Sequence, residues 1–180
     1  MFIQTEATPN PLTLKFMPGV PVMPSGTAFL TSPEDAKVSP LAEALFHTEG
    51  VTAIFLGSDF ITATKSEAVT WEVLKPLLLT AIMDHFVAGK PVMLSGPSVA
   101  ANDDDSELVK QIRELIDTRV RPAVAQDGGD IIFRGFHDGI VQLELHGSCS
   151  GCPSSTVTLK NGIENMLKHY VPEVIAVEAV

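Results

Sequence analysis

Two residues of this chain combine nucleophilic, redox and metal-ligating capacity at short spacing. They are Cys149 and Cys152, the only cysteines among 180 residues, set in GSCSGCPSS over residues 147–155. A CxxC pair can hold a metal ion, hold an iron–sulfur cluster, or alternate between dithiol and disulfide. A tetrahedral zinc site or an iron–sulfur cluster asks for four protein ligands, and one chain supplies two. The missing pair must then come from a second copy, a thiol cofactor or a client protein. Two symmetry-related loops facing each other across a twofold axis would close the shell with four identical thiolates. A cluster held in that way sits at an interface and is easily surrendered, which suits a carrier better than an enzyme. The residues leave [4Fe–4S] and [2Fe–2S] equally open, because both accept four thiolates.

The surroundings of the pair favour thiolate. Pro153 suits a first helical turn, where its missing N–H costs nothing. Unpaired N–H groups and the macrodipole at a helix start favour negative charge, which lowers a thiol pKa. Gly147 and Gly151 let the backbone bend and leave room for something several ångströms across. A thiol–disulfide oxidoreductase is the main rival reading. Against it, the chain lacks an aromatic residue before the first cysteine and a thioredoxin-like βαβ context. A structural zinc bridging two copies would satisfy the same four thiolates.

Other polar residues have plainer readings. His146 could ligate from three residues upstream, but a histidine at a strand end is ordinarily a surface group. His137 belongs to a hairpin, and His47, His85 and His169 lie in or beside helices without ligand spacing. Asp103, Asp104 and Asp105 read as a solvated linker and helix cap. Asp127 and Asp130 flank two glycines and read as turn residues. No GxSxG elbow, P-loop or HExxH is present, so catalytic turnover is not expected. Trp71 and the phenylalanines read as core.

The elements that must position the cysteines follow from period and punctuation. Leu108, Ile112, Leu115, Ile116 and Val120 recur at helical spacing, with Asp104 and Glu107 placed like a capping box. Arg121-Pro122 should kink or end that helix, and DGGD over 127–130 should turn. Two β-rich runs, 130–136 and 139–146, flank His137-Asp138-Gly139, a hairpin connection. The cysteine segment follows, then an apolar stripe through Leu159, Ile163, Met166, Leu167 and Tyr170, stopped by Pro172. The last residues form a third strand, giving α-β-β-α-β with helices on one sheet face. Upstream, strands near 12–16 and 28–30 precede a short helix over 40–47. A hairpin over 51–65 turns at Ser58-Asp59, and a helix over about 70–86 contains Pro76. Helix–hairpin–helix thus occurs twice, and the first copy has no thiol at the equivalent place. The class is α+β: two small α/β-layered domains over 1–94 and 106–180, joined by a Gly-, Pro-, Ser- and Asp-rich linker over 95–105.

Bulk properties narrow the partners. A net charge of −10 argues against nucleic acid and offers no basic handle for anionic lipid. The longest apolar run, residues 77–83, is far short of the roughly 20 residues that span a bilayer. The opening residues show neither a secretory signal nor an Arg-rich transit peptide, so a cytoplasmic, bacterial location is expected. Reduced thiols there favour a metal or redox site over a structural disulfide.

The stretch from DGGD at 127–130 through LHGSCSGCPSSTVTLKNGIENMLKHYVPEV at 145–174 closely resembles the cluster-binding domain of Nfu-type iron–sulfur scaffold proteins. TPNPLTLKF at 8–16 and SGTAF at 25–29 resemble the N-terminal domain paired with it. The resemblance implies a carrier of one [4Fe–4S] cluster per two chains, with Cys149 and Cys152 at the ligand positions. It also implies delivery to apo iron–sulfur client proteins, contact with the cluster-assembly machinery, and an N-terminal domain that meets partners.

Overall fold

The computed structural model describes residues 1–94, 106–147 and 153–180, with side chains in the last stretch from 157 onward. The chain divides into two compact units, Met1–Val99 and Ala100–Val180. The expected linker over 95–105 lies outside the described residues.

The first unit is a five-stranded antiparallel sheet with two α-helices. Its strands are β1 (Gln4–Ala7), β2 (Thr13–Met17), β3 (Ala28–Leu30), β4 (Val51–Leu56) and β5 (Ile61–Lys65), in the order β1-β2-β5-β4-β3. The β4–β5 turn falls at Ser58-Asp59 as expected, closed by the Gly57 N–H donating to the Phe60 carbonyl at 2.9 Å. Helix α1 (Pro40–Phe46) starts on Ser39, whose Oγ accepts from the Ala42 N–H at 3.1 Å and donates to the Val92 carbonyl at 2.5 Å. Helix α2 (Trp71–Val87) runs through Pro76 and buries Leu74, Leu78 and Ile82 at helical spacing against Phe16, Leu41, Leu45, Ile54 and Ile61. β1 was not expected. QTEA is polar and almost wholly exposed, so it carries no hydrophobic alternation, and pairing with β2 alone makes it a strand.

The second unit is a three-stranded sheet, order β6-β7-β8, with helices that share its core. β6 (Gly129–His137) and β7 (Ile140–Gly147) pair antiparallel through Asp138-Gly139. Both turn residues have positive φ, 51° and 80°, the geometry of a two-residue primed turn. β8 (Ala176–Ala179) pairs parallel to β7, which requires the crossover that α5 (Pro153–Tyr170) supplies. Ile131, Val141, Leu143 and Val177 meet Ile112, Ile116, Val124, Ile163 and Leu167 in one core.

Three local expectations are corrected. The cap of α3 (Glu107–Leu115) is Ser106, whose Oγ accepts from the Val109 N–H at 3.4 Å; Asp104, of the expected capping box, lies outside the described residues. Arg121-Pro122, expected to kink or end the helix, does not end it. The helix widens into a π-helical turn over Ile116–Val120 and continues as α4 (Arg121–Gln126). Proline removes a donor and crowds the carbonyl four residues back, and a wider turn just ahead of it relieves both. Finally, only Asp127-Gly128 turns, with Gly128 at φ 78°; Gly129 and Asp130 already belong to β6.

Candidate functional site

The sequence placed the chemistry between a strand end and a helix start, and the fold supplies both. β7 ends at Gly147 and α5 begins at Pro153. Cys149 and Cys152 lie between them, outside the described residues. Their frame can be built from what surrounds it.

Gly147 is buried and has φ 69°, a left-handed backbone that a side chain resists. It pairs with Gly129, so DGGD faces the point where the cysteine segment leaves the sheet. The next pair inward is Asp130 with His146. Asp130 is 3% exposed, and Arg121 binds both of its oxygens, through Nε at 2.8 Å and Nη2 at 2.9 Å. Asp130 Oδ1 also accepts from the Ile131 N–H at 2.8 Å. The fork on Asp130 drives the Arg121 pKa above its ordinary value, with a smaller contribution from Asp117. Reading Asp130 as a turn residue is therefore corrected: it is a buried, doubly bonded carboxylate that anchors the start of β6 to α4.

His146 is not a surface group either, its side chain being 14% exposed. Its Nε2 lies 2.8 Å from Glu144 Oε1, while Arg134 holds the other oxygen of Glu144. Residues two apart on a strand share a face, which brings Glu144 and His146 together. The hydrogen bond to His146, and after it the one to Arg134, holds the Glu144 carboxyl below its ordinary value. This network belongs to the last turns of strand before the cysteine segment. Sequence reasoning missed it, although the two-residue spacing of Glu144 and His146 was a usable signal.

The remaining histidines separate. His137 and His169 are exposed. His47 and His85 line one cleft of about 440 Å³ between α1 and α2, together with Glu43, Asp84 and Lys90. Burial, then the charge of Lys90, pushes the His85 pKa below 6.5. Among the described residues no three His, Cys, Asp or Glu side chains gather into a metal site. No helix among them is long and apolar enough to cross a membrane.

Known proteins add a second line of observation. A family model described as "NifU-like domain" matches residues 112–178, and one described as "Scaffold protein Nfu/NifU N terminal" matches residues 3–89. The human protein named "NFU1 iron-sulfur cluster scaffold homolog, mitochondrial" is 54% identical over 100% of this chain and 72% of its own length. "NifU-like protein 5, mitochondrial" of Arabidopsis thaliana is 54% identical over 99% of this chain and 67% of its own. "NifU-like protein 4, mitochondrial" of the same plant is 53% identical, with 65% of its length covered. The chain thus spans roughly two thirds of the length of the two plant relatives. All three names correct the expected bacterial cytoplasmic location and point to an organelle. Leaders are cut away after import and are no part of a folded domain, so the residues of the domain carry no record of the compartment.

Proposed function

Because this chain belongs to the Nfu family of iron–sulfur cluster scaffold proteins, we propose that it carries a [4Fe–4S] cluster held jointly by Cys149 and Cys152 of two copies and passes it to apo-proteins. The observation that carries this reading is the ligand shortfall. The chain has two thiols, both within one segment between β7 and α5 that the NifU-like match spans, and a cluster needs four. A second identical segment is the simplest source of the other two. The N-terminal end of an 18-residue helix favours the thiolate form required for iron binding. Handing over the cluster changes the carrier's load and no covalent bond of a substrate, so no catalytic group is needed. In this proposal residues 106–180 bind the cluster, residues 1–94 meet clients and the assembly machinery, and 95–105 link the two.

Anaerobic reconstitution with iron and sulfide, read by visible and Mössbauer spectra alongside solution mass, tests it. The expected result is about four irons and four sulfides per two chains. Cys149→Ser or Cys152→Ser should abolish the visible absorption while leaving the circular dichroism unchanged. A single variant that retains a full cluster would overturn the assignment. A wild-type protein that stays colourless, where a known cluster protein reconstitutes, would overturn the cluster itself.

A further inference from the structure

The cleft of about 440 Å³ between α1 and α2 has a rim and a floor of different character. Glu43, His47, Asp84 and Lys90 are exposed and form the rim, while His85, 5% exposed, is its one buried lining residue. Lysines elsewhere in the first unit take a carboxylate, Lys37 that of Glu34 and Lys15 that of Glu6. Here none does. Among the described residues neither Glu43 nor Asp84 has an ion pair or a side-chain hydrogen bond, and Lys90 pairs with neither.

The floor adds a second observation. His85 Nε2 is closed to bulk water and has no hydrogen-bond partner among the described residues. The backbone at Lys90 and Pro91 hydrogen-bonds the ring in the sense that favours its proton. Proline has no N–H, so its carbonyl accepts and the ring donates. That commits the ring proton to Nδ1 and leaves Nε2 with an unused lone pair. Burial, then the charge of Lys90, holds the His85 pKa below 6.5, so the ring is neutral at pH 7. Two carboxylates and one buried lone pair, all without donors, therefore line a single cleft. The lone pair adds negative potential where no water screens it, and an orphaned buried acceptor is costly until a donor or a cation offsets it.

We propose that this cleft receives an arginine side chain of a partner protein. A guanidinium offers five N–H donors in a planar fork, enough for both carboxylates, whereas an ammonium offers three and is more strongly hydrated. Residues 1–94 carry nine acidic side chains and five lysines, so the field of the unit draws a cationic partner. The chain's own four arginines, all beyond residue 106, are engaged: Arg121 on Asp130, Arg134 on Glu144, and Arg113 and Arg119 over the rings of Phe133 and Tyr170. Lys90 opposes the guest, because its charge already acts on the floor of the cleft. That the guest belongs to a protein rests on the reading that residues 1–94 meet clients; the cluster does not enter.

The test titrates the full, cluster-free chain, labelled with nitrogen-15, with arginine blocked at both ends as in a peptide. Saturable shifts are expected at the Ala44, Ala81 and His85 amides and at His85 Nε2, with about millimolar affinity for one side chain. Asp84→Asn and Glu43→Gln should each weaken binding about two- to fivefold, and Lys90→Met should tighten it by a similar factor. All three residues are exposed, so circular dichroism should not change. Blocked citrulline, the neutral isostere, should leave the spectrum as it was. No saturable shift up to about 50 mM, or equal shifts with citrulline, would overturn the proposal. Free arginine binding over about tenfold tighter than the blocked form would overturn the protein partner in favour of a free amino acid. Failure of the cluster reading would appear in reconstitution and leave this titration unchanged.

Discussion

In the first unit β5 passes into α2 through residues 66–70, and in the second β7 passes into α5 through residues 148–152. Both junctions close a helix–hairpin–helix segment, α1-β4-β5-α2 in one and α3-α4-β6-β7-α5 in the other. The first is fastened by side chains and backbone together. Val69 packs on the core, the Ser66 N–H donates to the Gly50 carbonyl at 2.8 Å, and Trp71 Nε1 donates to the Pro11 carbonyl at 3.1 Å. The second has by sequence only Ser, Cys and Gly between Gly147 and Pro153, with no large aliphatic or aromatic residue. Under the proposed function, the same order of elements would end once in packing and once in cluster binding. A segment committed to filling a core cannot also open to a bulky cargo, whereas small residues at a helix start leave the space and the field for it.

The largest expected effect comes from moving the motif. Ser66→Cys with Val69→Cys, in a chain carrying Cys149→Ser and Cys152→Ser, writes CxxC into the first junction. Reconstitution should then give no visible absorption, because Val69 is held in the core. A cluster formed there would show that any junction between strand and helix suffices.

Next in size is the ion pair that fixes the second hairpin. Arg121→Ala removes the two charge-assisted bonds to the Asp130 carboxylate, 3% exposed, and should destabilise the second unit by about 2–4 kcal/mol, the lower end reflecting the partial exposure of Arg121. Residues 1–94 contain no arginine, so no two-pronged fork of this kind can form among them. Lys15 and Glu6 stand 3.9 Å apart with the carboxylate half exposed, and Glu6→Ala should cost below about 1 kcal/mol. Denaturant unfolding measures both, and equal losses would remove the contrast.

The smallest effect is one of pH. The folded pKa of His85 is lowered, so the unfolded state binds the proton more readily. The stability it lends is present above about 6.5 and drains as pH falls through that value toward the lowered one. Glu144 is likewise lowered, but from 4.5, so its contribution is retained down to about that pH and lost only below it. Between pH 7 and pH 5 the Tm of the first unit should therefore fall, while Glu144 leaves the second unaffected. His85→Leu should flatten the slope of the first unit; an unchanged slope would assign it to another group.

Much of this was legible along the chain because the signals are local. Asp138-Gly139 and Ser58-Asp59 mark turns within two residues, and the apolar stripe of α5 repeats within one helical turn. The motif itself is a matter of spacing, GSCSGCP with DGGD upstream, and that alone suggested two ligands in need of two more. Tertiary structure decided what depends on distant groups. Gly129 lies beside Gly147, Arg121 grips Asp130 across a helix-to-strand connection, and Arg134 meets Glu144 across a hairpin. β1 is a strand only because β2 offers its edge, and β8 is parallel only because α5 carries the chain back. Propensity and capping act over a few residues, and so can be read from them. Burial, register and charge pairing depend on which residues the folded chain brings together, and those partners are fixed only once the chain has closed on itself.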